Sequence, residues 1–350
     1  MAQTPDIPPT AIEAAGQRLT IDAVPVGAVL AGAAALSAWG DGRLRIFRPD
    51  DPPEVIPLHR GAILSLALAP DGAILTGGDD GRFIRTRPDG VSETLAEFAR
   101  KWVDHVAASA TGALACSVGR EVHLTEPSGF RQTFEHPSSV GGLAFDRKGK
   151  RLAVAHYGGV TVWSREARRW KPTSLKWAGS HMRVIWSPDD RFLMTAMQEN
   201  ALHGWRLRDK ADLRMSGYPA KVAGLAWAGA LPWLATTGAE AAILWPFDGM
   251  SGPMGRAPLQ LCPGGPDLVT AVCTVPGREA LFAGLSDGSV LFSEIGEEAE
   301  PALVRRGTGS PVTVIAASGS GRLFVADEGG GVLWVSLAGE GYQPVRATTT

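Results

Sequence analysis

The residues best equipped for chemistry crowd between Trp163 and Trp177, where Arg165, Arg168, Arg169, Trp170 and Lys171 are followed by Lys176 and Trp177. Arg and Trp combine large contact area with directional hydrogen bonding, which is why they dominate binding energy at protein interfaces. Charge reinforces the reading. The chain carries a net −2, yet residues 146–221 hold 16 Lys or Arg against 7 Asp or Glu, a local +9 that leaves −11 for the remainder. Such an asymmetry favours an acidic protein partner. Nucleic acid is the rival ligand, with cations on phosphates and Trp170 or Trp177 stacked on a base. A pI of about 6.4 and the lack of a recognition motif weigh against it. The plain alternative is a solvated edge whose charges prevent strand pairing.

Catalytic chemistry has less to stand on. There is no phosphate-cradling GxxxxGK[ST], no HExxH and no GxSxG. His105 follows Asp104 and His181 precedes Arg183 by two, while His123, His156 and His203 are expected to stay apart from them. No metal or cofactor is called for. Cys116, Cys262 and Cys273 form neither a CxxC nor an even framework, so reduced cytoplasmic thiols are the simplest account, with a bridge from Cys262 to Cys273 as the alternative.

The elements that must position these residues repeat along the chain. Short apolar runs close at Phe47, Thr86, Thr125, Trp163, Trp205, Trp245, Phe292 and Trp334, in steps of 39, 39, 38, 42, 40, 47 and 42 residues. A period of about 40–45 residues is that of four-stranded propeller blades. The clearest copy, residues 59–87, reads strand, turn, strand, turn, strand, and Asp71-Gly72 and Asp80-Gly81 supply the positive dihedrals of tight hairpins. Forty-three Gly and 25 Pro suit many short strands joined by turns. Residues 152–155, 233–235 and 281–285 are continuously apolar, as strands covered on both faces must be.

On these residues the chain resembles a bacterial WD40-repeat β-propeller with degenerate repeats, over nearly everything from about Thr20 onward. That family places a Gly-His before the inner strand, a Ser or Thr in the second, an Asp in the next turn and a Trp-Asp closing the third. Unit two has His59, Thr76 and Asp80 with Thr86 for the Trp; unit one has Ser37, Asp41 and Phe47; unit four has His136 and Trp163, with Tyr157 in the Asp place. Trp205, Trp245 and Trp334 close later units. Ser164, Arg206, Pro246 and Val335 follow the four tryptophans, so the dipeptide never occurs and no unit has the full set.

The expected fold is an all-β propeller of four-stranded antiparallel blades, eight by the repeat count with seven as the alternative. It forms one domain over residues 17–350 behind an N-terminal tail of 1–16. Residues 17–21 and 342–347 compete to close the ring. The longest step contains residues 248–258, a flexible insertion or a binding loop. Residues 23–39 lack charge but are read as the first two strands, because the segment is too short to span a membrane and no basic region precedes it. The resemblance implies a non-enzymatic protein-interaction scaffold in the cytoplasm, contacting its partner through the basic, aromatic rim of blades four and five. Propellers also host lactonases and metal-dependent hydrolases in the central channel. Such a site needs several carboxylates or histidines, whereas the inner strands at 63–69, 140–145, 222–227, 269–275 and 312–317 carry no charged side chain.

Overall fold

The computed structural model describes residues 8–167, 169–230, 232–296 and 298–336. A short helix α1 (Ala11–Ala15) and strand β1 (Gln17–Thr20) precede unit one, which is β2 (Pro25–Ala31), β3 (Ala34–Trp39), β4 (Arg43–Phe47) and β5 (Glu54–Pro57). Unit two is β6 (Ile63–Leu68), β7 (Ile74–Gly78), β8 (Arg82–Thr86) and β9 (Ser92–Glu97). Unit three is β10 (His105–Ala108), β11 (Leu114–Val118), β12 (Glu121–Thr125) and β13 (Arg131–Glu135). Units four and five share β14 (Val140–Phe145), β15 (Arg151–Glu166), β16 (Arg169–Trp186), β17 (Phe192–Met197), β18 (Leu202–Arg206) and β19 (Ala211–Met215). Unit six is β20 (Leu225–Ala228), β21 (Trp233–Thr236), β22 (Ala242–Pro246) and β23 (Leu259–Leu261). Unit seven is β24 (Val269–Thr274), β25 (Ala280–Leu285), β26 (Val290–Glu294) and β27 (Ala302–Arg305). The last unit is β28 (Val312–Ala317), β29 (Arg322–Asp327) and β30 (Gly331–Ser336), with β1 as its fourth strand.

Each sheet is antiparallel, and neighbouring sheets pack face to face, so second strands such as β7, β17 and β25 are buried at every residue. Their unbroken apolar runs follow from that double cover. The hairpin turns need glycine where predicted: Gly81 has φ 78°, and a Cβ there would lie 2.1 Å from the Phe98 carbonyl oxygen. First strands of successive sheets lie beside one another, β2 to β6 to β10 to β14 and β20 to β24 to β28 to β2, and form the inner wall of the ring.

The expectation of eight separate blades is overturned. Counted as hydrogen-bonded sheets the ring has seven blades, six of four strands and one of six, because units four and five are continuous. The cause is local. Within β15 the chain turns back at Gly158 and Gly159, φ 88° and 139°, so that Arg165 N–H donates to the Lys150 carbonyl at 2.8 Å. The returning half pairs with β16, from Glu166 with Arg169 to Tyr157 with Ser180, and β16 then changes partner at His181, which faces Met197 of β17. With no break in β16, the outer strand of one unit and the inner strand of the next are a single strand.

Ring closure falls to the N-terminal candidate. β1 pairs with β30 from Gln17 opposite Trp334 to Thr20 opposite Gly331, whereas residues 342–347 lie outside the described residues. Helix α1 ties this strand down. The Thr10 hydroxyl accepts from Glu13 N–H at 3.1 Å and donates to the Val304 carbonyl at 2.6 Å, while the buried Glu13 carboxylate accepts from Thr10 N–H at 2.8 Å. Residues 23–39 are strands β2 and β3, and no helix among the described residues is long and apolar enough to cross a membrane.

Candidate interaction surface

The repeat positions lock each unit from within. In unit two, buried His59 joins Asp80 through Nδ1 and Thr76 through Nε2, both at 2.9 Å. Burial holds the His59 imidazole below its usual pKa. The Asp80 carboxyl is also held low: hydrogen bonds from His59 and from the Arg60 and Arg82 N–H groups outweigh the opposing effect of its burial. Thr86, in the Trp place, meets Ser92 at 3.0 Å instead. In unit four the Trp163 indole donates to His136 Nε2 at 3.1 Å, and in unit six the Trp245 indole donates to the Tyr218 hydroxyl at 2.7 Å. In unit one the Trp39 indole donates to Ser37, and Asp41 pairs with Arg45. Trp205 and Trp334 are buried between sheets.

Of four histidines that the sequence scatters, His156, His181 and His203 stand in the six-stranded sheet and His136 on the connection just before it. His136 and His156 have ring centroids 5.9 Å apart, and His181 and His203 6.1 Å apart, so His203 lies beside His181 and not apart from it as expected. Their hydrogen bonds are structural: His156 with Thr161, His181 with Thr195, His203 with Asp212. Burial lowers the pKa of His136, His181 and His203, the last to about 4 against the opposing charge of Asp212. No group of three or more metal-ligating side chains occurs among the described residues.

The described members of the predicted contact set occupy the end of β15 and the outer half of β16, but they are not equally available. Trp170 is buried, and its indole donates to Glu126 Oε1 at 2.8 Å. Arg165 grips the same carboxylate at 2.6 and 2.9 Å, and these bonds hold Glu126 below the usual carboxylate range. Lys171 pairs with Glu166. Trp177 is half-buried and stacks on His203 at 4.0 Å. Arg169 and Lys176 are exposed and keep no ion pair among the described residues, and Arg168 lies outside them.

The sequence did not disclose how the surrounding acids are spent. Asp146 and Asp190 pair with Arg151, Asp189 with Arg191, Asp209 with Arg206 and Arg208, and Asp212 with His203. Exposed Arg147, Lys148, Lys150 and Lys210 keep no ion pair among the described residues. These cations lie on turns at one end of the ring, where first-to-second and third-to-fourth connections of a meander must fall together. Two contacts place the turns side by side: Arg147 N–H donates to Asp190 at 3.2 Å, and Arg206 donates to the Met250 carbonyl at 3.2 Å. Met250 and Met254, on the 248–258 insertion, are 59% and 44% exposed beside them. The opposite end carries two exposed aromatic rings that the charge pattern missed, Trp102 and Tyr157.

Residues 51–84, spanning the hydrogen-bonded set of unit two, match the WD40 family, described as WD domain, G-beta repeat. No curated protein matches the chain. Among solved structures the chain is similar to one in "Crystal Structure of Mitotic Checkpoint Complex", with 17% identity, a TM-score of 0.62, and 78% of this chain and 88% of that one covered. It is also similar to the computationally designed Ika8 protein, with 13% identity, a TM-score of 0.72, and 91% and 98% covered. At such identities the likeness speaks for fold alone, and together with the repeat match it supports a WD40-type β-propeller.

Proposed function

We propose that the protein is a non-enzymatic interaction scaffold whose units four and five receive an acidic protein partner. One observation carries the reading. Six of the seven carboxylates in the basic arc are taken up by cationic or histidine side chains of the protein itself, and the seventh, Glu199, accepts from Ser180 N–H. The surplus cations at the turns, with Arg169 and Lys176 on the rim, are left to an external anionic surface. Electrostatics of this kind steers association and selects the partner. Exposed Met250 and Met254 add deformable apolar area next to the charges. Three free thiols suit a reducing compartment such as the cytoplasm.

The test is quantitative capture by immobilised wild type, by Arg169→Glu/Lys176→Glu and by Lys148→Glu/Lys150→Glu, from cell extract and from an RNA pool. The reading predicts one or more proteins whose recovery falls in the reversed variants and in high salt. Equal yields in all three sink it, and salt-sensitive retention of RNA without protein replaces it with a nucleic-acid function.

A further inference from the structure

The outer strand of unit six stops early. β23 spans only Leu259–Leu261 and pairs with β22 from Leu244 opposite Leu259 to Ala242 opposite Leu261, so the register brings Trp245 level with Pro258, which has no N–H to extend the ladder. Ile243, Trp245 and Gln260 therefore share one face of the sheet. It is the face toward unit five, whose buried core Ile243 and Trp245 border. Unit five does not cover that face to its edge, because β19 ends at Met215 and the chain turns toward the inner strand β20 through Gly217, φ 102°. What stays open is a cleft of about 400 Å³ on the rim between the two units, with Tyr218, Ile243, Trp245 and Pro258 on its apolar side and Glu240 and Gln260 on its polar side.

The walls are tied together before any ligand arrives. Tyr218 holds the Trp245 indole, and Gly264 N–H donates to the Glu240 carbonyl at 2.7 Å, which joins the loop after β23 to the turn before β22. Buried Cys262 keeps a left-handed φ of 54° at the end of β23, a conformation that its packing must offset. The volume is that of a small-ligand site, and fixed walls spare the cost of ordering them on binding. Its chemistry is one-sided. Half-buried Trp163 and Trp177 stack on Phe134 and His203, both at 4.0 Å, and Trp227 meets Phe247 edge on at 4.9 Å. Trp245 is half-buried too, but no ring or cation lies against it among the described residues. Glu240 is exposed, and its carboxylate has no ion pair or hydrogen bond among the described residues. No Lys, Arg or His among them lines the cleft. An unoccupied aromatic ring beside an unopposed carboxylate attracts a cation, and the apolar walls favour one that carries hydrocarbon.

We propose that this cleft binds a small organic ammonium ion, a primary amine carried on an apolar body. The body lies against Trp245 and Ile243, the charge faces Glu240, and the Gln260 amide oxygen supplies a further acceptor for the ammonium N–H groups. The site is separate from the basic arc, takes a ligand of the opposite charge and does not depend on the partner proposed there.

The experiment follows the indole N–H resonances of the full chain by NMR during titration with phenethylammonium chloride and, separately, with its uncharged analogue 2-phenylethanol. The Trp245 signal is assigned by its absence from Trp245→Phe or, should that variant not fold, by its displacement in Tyr218→Phe. Wild type and a control changed at the exposed Glu97 of unit two, Glu97→Gln, should show a saturable shift of that signal with phenethylammonium. The alcohol should bind at least about threefold more weakly, the loss expected for a cation over an aromatic ring. Glu240→Gln, a change at an exposed side chain, should weaken phenethylammonium about threefold and leave 2-phenylethanol unchanged. No saturable shift at Trp245 in wild type overturns the proposal. Equal affinity for the two probes does so too, as does an unaltered phenethylammonium affinity in Glu240→Gln.

Discussion

The Tyr218 hydroxyl receives the Trp245 indole N–H at 2.7 Å and meets the Thr236 hydroxyl at the same distance, so a phenol does in unit six what the His136 imidazole does for Trp163 in unit four. Both serve one need. The Trp closing a unit lies between packed sheets, and its N–H must find an acceptor there.

Tyr218→Phe keeps the ring and removes that acceptor, leaving a partly buried indole N–H without its partner and the buried Thr236 hydroxyl with its bond to the Ile243 carbonyl. The expected cost is about 1–3 kcal/mol in urea unfolding, with an unchanged dependence on denaturant. A neutral substitution would mean that water or backbone takes over.

Acid should loosen the protein before its carboxylates titrate. His59, His136, His181 and His203 all have folded pKa values pushed below the ordinary value by burial, so the unfolded chain binds more protons as pH falls. Their stabilising effect is complete above about pH 6.5 and declines as pH drops toward the folded values. Asp41, Asp80 and Asp189, also held low, contribute in the same direction but only in the carboxylate range. The urea midpoint is therefore lower at pH 5.5 than at pH 7.5, and equal midpoints would contradict the neutral, buried histidines.

Between unit seven and the last unit, Arg305 of β27 and Asp327 of β29 form a buried ion pair, and the same carboxylate accepts from Thr308 at 3.0 Å and from Gly331 N–H at 2.8 Å. Asp327→Ala strands the Arg305 charge and should cost about 3–5 kcal/mol. Asp327→Asn, which keeps the shape and some hydrogen bonds, should cost less. Chemical denaturation of both variants checks the order, and equal losses would mean that the charge itself matters little.

Much of the architecture could be read from the residues because strand period and turn glycine are local properties. Gly72 and Gly81 stand where the hairpins turn, and His59, Thr76 and Asp80 meet as the repeat pattern implied. The number of blades could not be read. It depends on Tyr157 pairing with Ser180 and on β16 continuing into His181, and neither residue type announces such a pairing. The same limit applied to the contact surface. Arg165 and Trp170 looked free in sequence, but their carboxylate, Glu126, lies about forty residues earlier and is brought to them only by the ring. Tyr218 went unnoticed because it stands where the repeat pattern leads one to look for histidine.

Hydrogen–deuterium exchange on the protein with its captured partner tests the central claim most directly. The account predicts slowed exchange at residues 147–150, 169–176 and 206–210, with the opposite end of the ring unchanged. Protection confined to the end that carries Trp102 and Tyr157, or none in the basic arc, would contradict it.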